Sequence, residues 1–287
     1  MQIALNILSL TSFYMCFALG LALVFGVMRV INFAHGEFYM IGAYSAFLCV
    51  SLIGPTTGAL PAYVMSFFAA AIVTGVLGVL LYLVVVRKLI DKPLTIFIAT
   101  LALSYMLQVV VVELFGPVGR SLPSPIPGIV RIGGAILPWS RVFVIVAISA
   151  LTVGLWFLLM RSDIGRRVRA VAQNPRGAVL QGVSVDRVGM MTLVLGSMIA
   201  GVSGAIMAPI GGITPFMGAA ALWKAFIIII VGGIGSIWGA VAAALLFGAI
   251  DTFMTVAGAG RYLALTNAVI MLGVLSVMPS GLFGEKE

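Results

Sequence analysis

Few side chains in this sequence could do chemistry. The single histidine, His35, stands two residues before Glu37 in Arg29-Val30-Ile31-Asn32-Phe33-Ala34-His35-Gly36-Glu37, the densest polar patch between apolar runs. Lys224 follows Trp223 and precedes the run Ala225 to Val231, Asp251 lies well inside an apolar segment, and Glu113 closes another. Ionisable groups in apolar surroundings cost a few kcal/mol, so by default they hint at function. Glu37, His35 and Asp251 could relay protons, or the Asn32–Glu37 stretch could line a path for a solute. Plainer readings stand beside these. Asn32 and Gly36 are turn formers, Lys224 at a helix start can snorkel to an interface, Asp251 can face a polar interior or pair with a cation, and Glu113 can reach water. Metal chemistry has no ligand set, because zinc needs about four ligands. The two cysteines, Cys16 and Cys49, fall in apolar runs and read as small buried hydrophobes. One histidine and scattered acids do not supply the nucleophile–base constellation of an enzyme.

The elements that must hold these groups follow from composition. Of 287 residues, 62% are hydrophobic and 8% charged, against about 25% charged in soluble domains, and mean hydropathy is +1.25. A soluble enzyme, a disordered chain and a secreted disulfide scaffold are excluded. An all-α integral membrane protein remains, and 34 glycines suit close helix approach in lipid. The net charge of +8 does not form a basic face for nucleic acid. The cations cluster between apolar segments, as the positive-inside rule produces.

A span needs roughly 20 apolar residues. Candidates cover 3–25, 38–54, 61–86, 94–115, 141–160, 189–208, 220–235, 237–258 and 262–279. The second and seventh are short, which suggests broken or re-entrant helices lining a cavity. The expectation is a polytopic helical bundle of about eight or nine membrane segments, one transmembrane domain over 1–287. The run Ile3 to Phe25 is too long for a signal-peptide core and reads as a retained first helix. The link 87–92 carries Arg87, Lys88 and Lys92, and the link 161–187 carries six arginines. Two spans separate them, so both are placed on the cytoplasmic side. The connection 116–140 then faces outward, and its five prolines predict a stiff extended path.

Val231-Gly232-Gly233-Ile234-Gly235-Ser236 is glycine-rich but lacks the setting of a dinucleotide site, and no Gly-Lys pair of a phosphate loop occurs in the chain. Close packing explains such glycines better: Gly235, Gly239 and Ala243 form one smooth helix face, and Ala200, Gly204 and Ala208 another. In the cytoplasmic link, helix formers fill 166–173. Asn174 can cap a second helix with Pro175 in its first position, ending near Gln181 with Gly182 left-handed. Ala178, Val179 and Leu180 give that helix an apolar surface. It suits docking on another protein or lying on the cytoplasmic leaflet.

Four stretches closely resemble the permease subunits of ATP-binding-cassette (ABC) importers for branched-chain amino acids. They are Phe25 to Glu37; Gly165 to Val188; Lys224-Ala225-Phe226 with Gly232 to Ser236; and Met278-Pro279-Ser280-Gly281-Leu282-Phe283-Gly284. Trp238 departs from the Ser-Ile-Pro-Gly pattern of many members. The resemblance implies an ABC importer permease fold in a bacterial inner membrane. It implies a coupling element on a cytoplasmic ATPase, for which the candidates are Gly165, Arg166, Arg169, Asn174, Pro175, Val179, Leu180, Gly182, Asp186 and Arg187. It also implies a pathway at or near the Asn32–Glu37 break, with Asn32, Phe33, His35 and Glu37 as candidates, joined by Lys224 and Asp251 from the polar reading above. Implied partners are a second homologous permease, two ATPase subunits that bind the ATP, and a periplasmic solute-binding protein seated on the outward loop. No cofactor of the chain's own is expected. The solute is a branched-chain amino acid, with urea, short amides or small carboxylic or aromatic acids as alternatives within the class. An ion-coupled transporter running on Glu37, His35 and Asp251 is the competing class and would need no ATPase.

Overall fold

A computed structural model of the chain describes residues 1–132 and 135–283. Among them, eight helices are long and apolar enough to cross a membrane. In chain order the helices begin with α1 (Gln2–Met28), α2 (His35–Thr57) and α3 (Ala59–Leu81). A π-helical stretch, Tyr82–Val86, carries α3 into a last turn, α4 (Arg87–Leu89), and α5 (Pro93–Phe115) follows. Next come α6 (Trp139–Arg161), α7 (Asp163–Gln173), α8 (Pro175–Leu180) and α9 (Val185–Gly211). The chain closes with α10 (Met217–Gly232), α11 (Ile237–Val256) and α12 (Leu263–Val277). The connection 116–140 is not the plain extended path expected. It holds an antiparallel hairpin of β1 (Ile129–Ile132) and β2 (Ala135–Pro138), with Val130 opposite Leu137. Its Gly133 and Gly134, and Gly284 of the C-terminal motif, lie outside the described residues.

The second segment was expected to be short, and it is a full 23-residue helix. His35, Gly36 and Glu37 lower its hydropathy but belong to its first turn. Among the described residues, α10 with 16 residues is short of a crossing, while α12 reaches 18 residues with the 3-10 turn Gly260–Tyr262 that leads into it. The spans are apolar on every side, so hydrophobicity alone does not choose which face packs inward. Small residues choose it instead. Gly20 abuts Gly196, Gly42 lies against the backbone of Gly201, and Gly204 against Tyr39, leaving no room for a side chain at either of the last two contacts. The Ala200, Gly204, Ala208 face is buried, as expected. Gly235 does not share a helix with Gly239. It sits in the turn before α11 with φ +83° and packs on Gly26, while Gly239 packs on Gly232.

The packing has a repeated pattern. α3 lies along α9 as α11 lies along α1, and the hairpins α2/α3 and α10/α11 correspond. In both units a long helix, α1 or α9, is followed by a break and a helix that starts inside the bundle. This is the broken-helix architecture that transporters place around a central site. The two basic links meet at one end, where Arg87 Nε lies 3.3 Å from Asp186 Oδ1. At the opposite, proline-rich end, Tyr63 donates to the Pro123 carbonyl at 2.7 Å, and Arg120 pairs with Ile213.

Candidate functional site

The first break begins at Arg29, which ends α1 in the left-handed conformation, φ 51°. The chain then turns back into the bundle. Asn32 Oδ1 accepts from the Ala34 amide at 3.0 Å, and the Phe33 amide donates to Thr100 Oγ1 at 3.2 Å. His35 therefore comes to lie beside Gly20, about 12 Å back from the end of α1 at 1.5 Å per residue. The second break, 212–216, brings α10 in to the same level. There Gly218 sits against Gly36, backbone on backbone. Two helix N-termini thus meet inside the protein.

Glu37 stands in the first turn of α2 at this meeting point and is 1% exposed. Its Oε1 accepts from Ser104 Oγ at 2.8 Å and Gln108 Nε2 at 2.7 Å, and Ser104 is the middle residue of α5. Its Oε2 has no partner among the described residues and points toward Gly218. Carboxylate charge is favoured at helix N-termini, and here two converge. His35 faces the other way. Its ring meets Phe17 edge-on at 5.5 Å, and neither ring nitrogen has a partner among the described residues. Phe33 packs among Phe97, Phe226 and Trp223, with centroids 4.9, 5.5 and 6.0 Å away.

Lys224 does not snorkel from a helix start. It is the eighth residue of α10, and its Nζ lies 2.6 Å from Asp251 Oδ2 on α11. Tyr14 of α1 donates to the same oxygen at 2.5 Å. The ammonium stands 4.6 Å from the ring centroids of both Tyr14 and Phe247, a cation–π cradle. Of the two open readings for Asp251, pairing with a cation is the one observed. The structure therefore gathers the candidates into two clusters. No hydrogen bond among the described residues joins Glu37, His35 and Asp251 into one proton relay. Among the described residues, no group of three or more His, Cys, Asp or Glu could hold a metal ion.

At the arginine-rich end, Ser162 Oγ caps α7 by accepting from the Gly165 amide at 3.0 Å, and Gly165 packs on the Leu158 and Leu159 carbonyls. Asn174 Oδ1 caps α8 through the Gly177 amide at 2.9 Å, Pro175 takes the first position, and Gly182 follows at φ +77°. The expected apolar surface divides. Ala178 is buried against the α7 and α9 cluster, while Val179 and Leu180 are 56% and 87% exposed. Arg166 pairs with Asp163, Arg187 is exposed, and Arg169 is half-buried with Nη1 3.9 Å from Met160 Sδ. Asp186 is tied to the π-helical stretch after α3: the Tyr82 hydroxyl donates to its carbonyl at 2.8 Å and its Oδ1 at 3.1 Å.

Sequence reasoning missed Tyr14, Tyr82, Ser104 and Gln108. Thr100, Ser104 and Gln108 recur every four residues on α5, a polar stripe within an apolar span that was there to be read. The tyrosines carried no such signal.

A family model described as branched-chain amino acid transport system / permease component matches residues 3–278. The chain belongs to this permease family. The high-affinity branched-chain amino acid transport system permease protein BraD of Pseudomonas aeruginosa is 30% identical, covering 100% of this chain and 96% of the relative. The corresponding protein LivH of Escherichia coli K12 is 32% identical with the same coverage. A probable branched-chain amino acid transport permease of Methanocaldococcus jannaschii is 26% identical, over 93% of this chain and 87% of the relative. No solved structure matches. The permease is a multi-pass membrane protein.

Proposed function

We propose that this permease is the transmembrane subunit of an ABC importer for branched-chain amino acids in a bacterial inner membrane. One observation carries the proposal. On a chain whose family is one of transport permeases, the capped helix α8 holds Leu180 out at 87% exposure. That surface, beside Val179 and on a link that also carries Arg166, Arg167, Arg176 and Arg187, suits a groove on a cytoplasmic ATPase. Two such ATPases bind the ATP, a second homologous permease completes the pathway, and a periplasmic binding protein delivers solute to the proline-rich end. The permease itself changes no bond and uses no cofactor.

The pathway runs by Asn32, Phe33, His35 and Glu37. The N-termini of α2 and α10 suit a solute carboxylate, and the free Oε2 of Glu37 suits its ammonium. In the present state Gly36 and Gly218 are in contact, so the route is shut. ATP-driven displacement of α8 moves α9 through Asp186 and exchanges this state with one in which α2 and α10 part. The Lys224–Asp251 pair anchors α10 to α11 beside the route.

The test is co-purification of the tagged permease from its native membrane, followed by leucine uptake in proteoliposomes. ATPase subunits and a second permease that co-purify, with uptake that needs ATP, support the reading. A lone chain that accumulates leucine on an ion gradient alone overturns it in favour of ion-coupled transport.

A further inference from the structure

The second break, 212–216, joins α9 to α10. Ile213 in this break is fully buried, and a buried backbone must find its hydrogen bonds within the protein. Ile213 finds both on one residue of the outward connection. The Arg120 amide donates to the Ile213 carbonyl, and the Ile213 amide to the Arg120 carbonyl, each at 2.8 Å.

The side chain of Arg120 reaches in the other direction. Its Nη2 donates to the Phe115 carbonyl at 2.8 Å. That carbonyl ends α5, where no intrahelical donor is left and the helix dipole favours a cation. The guanidinium also lies 5.9 Å from the ring of Phe47 on α2. Phe115 itself packs on Tyr44 and Phe47 of α2, with centroids 4.6 and 6.4 Å away. α5 is the helix whose Ser104 and Gln108 hold Glu37 in the first turn of α2. A single residue therefore bridges the break that starts α10 to the pair α2 and α5.

The bridge crosses the place where the route must open. Gly36 of α2 meets Gly218 of α10 just beyond the break. α9 cannot leave α2 to part them, because Gly42 lies on the backbone of Gly201 and Gly204 on that of Tyr39. Movement has to come from α10 turning about the break. The outward connection cannot simply follow, since Tyr63 of α3 holds it at the Pro123 carbonyl.

We propose that Arg120 is a strap across the outward mouth of the route, holding the break to α2 and α5 in the shut state and letting go when α2 and α10 part. The strap rests on the route placed between those helices above. A disulfide beside it is the test. Gly119 and Thr214 are the next pair along the bridge, and a Cβ on Gly119 would lie 3.3 Å from Thr214 Cγ2. Facing residues of an antiparallel pair stand within disulfide range, and Arg120 and Ile213 stay untouched.

Oxidised Gly119→Cys/Thr214→Cys transporter in proteoliposomes should lose leucine uptake by about tenfold or more and regain it in dithiothreitol. Gly119→Cys alone, oxidised the same way, should transport normally. Full uptake by a chain that mass spectrometry shows to carry the disulfide overturns the strap. Arg120→Ala gives a readout without transport: hydrogen exchange over 212–216 should quicken by about threefold or more, with exchange across α3 unchanged. An unaltered rate in the break also overturns the strap. Because the lock is scored against the same chain reduced, uptake that runs on an ion gradient without ATP would sink the ABC reading alone.

Discussion

Lys224 and Asp251 form an ion pair inside the bundle, Nζ to Oδ2 2.6 Å, that joins α10 to α11. Asp251 is 2% exposed. Desolvating both charges offsets most of their attraction, so such a pair adds little net stability, yet losing one partner strands the other. Asp251→Leu alone should therefore cost about 3–5 kcal/mol, read as a lower melting temperature in detergent. The double variant Lys224→Met/Asp251→Leu should recover most of that loss. Equal destabilisation in the double and single variants would show that the pair supplies stability outright.

Where Gly36 meets Gly218, a methyl group on either would strike the backbone of the other. Gly36→Ala should force α2 and α10 apart and disturb the proposed shut state, cutting coupled uptake at least tenfold while the assembled transporter still forms. Gly273→Ala on α12 is the control, because its added methyl meets nothing and alanine favours helix by about 1 kcal/mol. Uptake measured side by side decides. Equal activity in Gly36→Ala and Gly273→Ala would remove the gate from this contact.

How much of this was legible beforehand depended on the range of the interaction. Helix α8 was readable to within a residue, because Asn174, Pro175 and Gly182 act on their own neighbours through caps and backbone angles. The spans were readable because they need only length and apolarity. The second span was misjudged because hydropathy cannot tell a polar loop from a polar first turn buried against α5 and α10. The partnership of Lys224 with Asp251 and Tyr14 was hidden for a different reason. It joins three helices whose apolar character is uniform around the axis, so no periodicity marks the contacting face. Glycine and alanine set that face, and they signal closeness without naming the neighbour.

Glu37 offers a test of charge separated from shape. Its Oε1 accepts two hydrogen bonds that a glutamine carbonyl could also accept, while Oε2 has none among the described residues. Glu37→Gln should therefore fold and assemble, with melting temperature near that of the parent. If Oε2 receives the solute ammonium, leucine uptake should fall at least tenfold, with the loss in transport and not in ATPase activity. Unimpaired uptake would leave Glu37 as a structural acceptor for Ser104 and Gln108.

The coupling role proposed for α8 turns on residues that contribute nothing to the fold. Val179 and Leu180 point away from the protein, whereas Ala178 beside them is buried. Leu180→Glu should thus leave the permease stable, since an exposed substitution of this kind usually changes stability by about 0.5 kcal/mol or less. On an apolar groove the new carboxylate would be desolvated without a partner, which is costly. The ATPase should then dissociate more readily during purification, and solute-stimulated ATP hydrolysis and uptake should fall together. Ala178→Glu gives the contrasting result: loss of the folded link itself, seen as rapid proteolysis between α6 and α9. A Leu180→Glu permease with full uptake and a bound ATPase would place the docking surface elsewhere on the arginine-rich end.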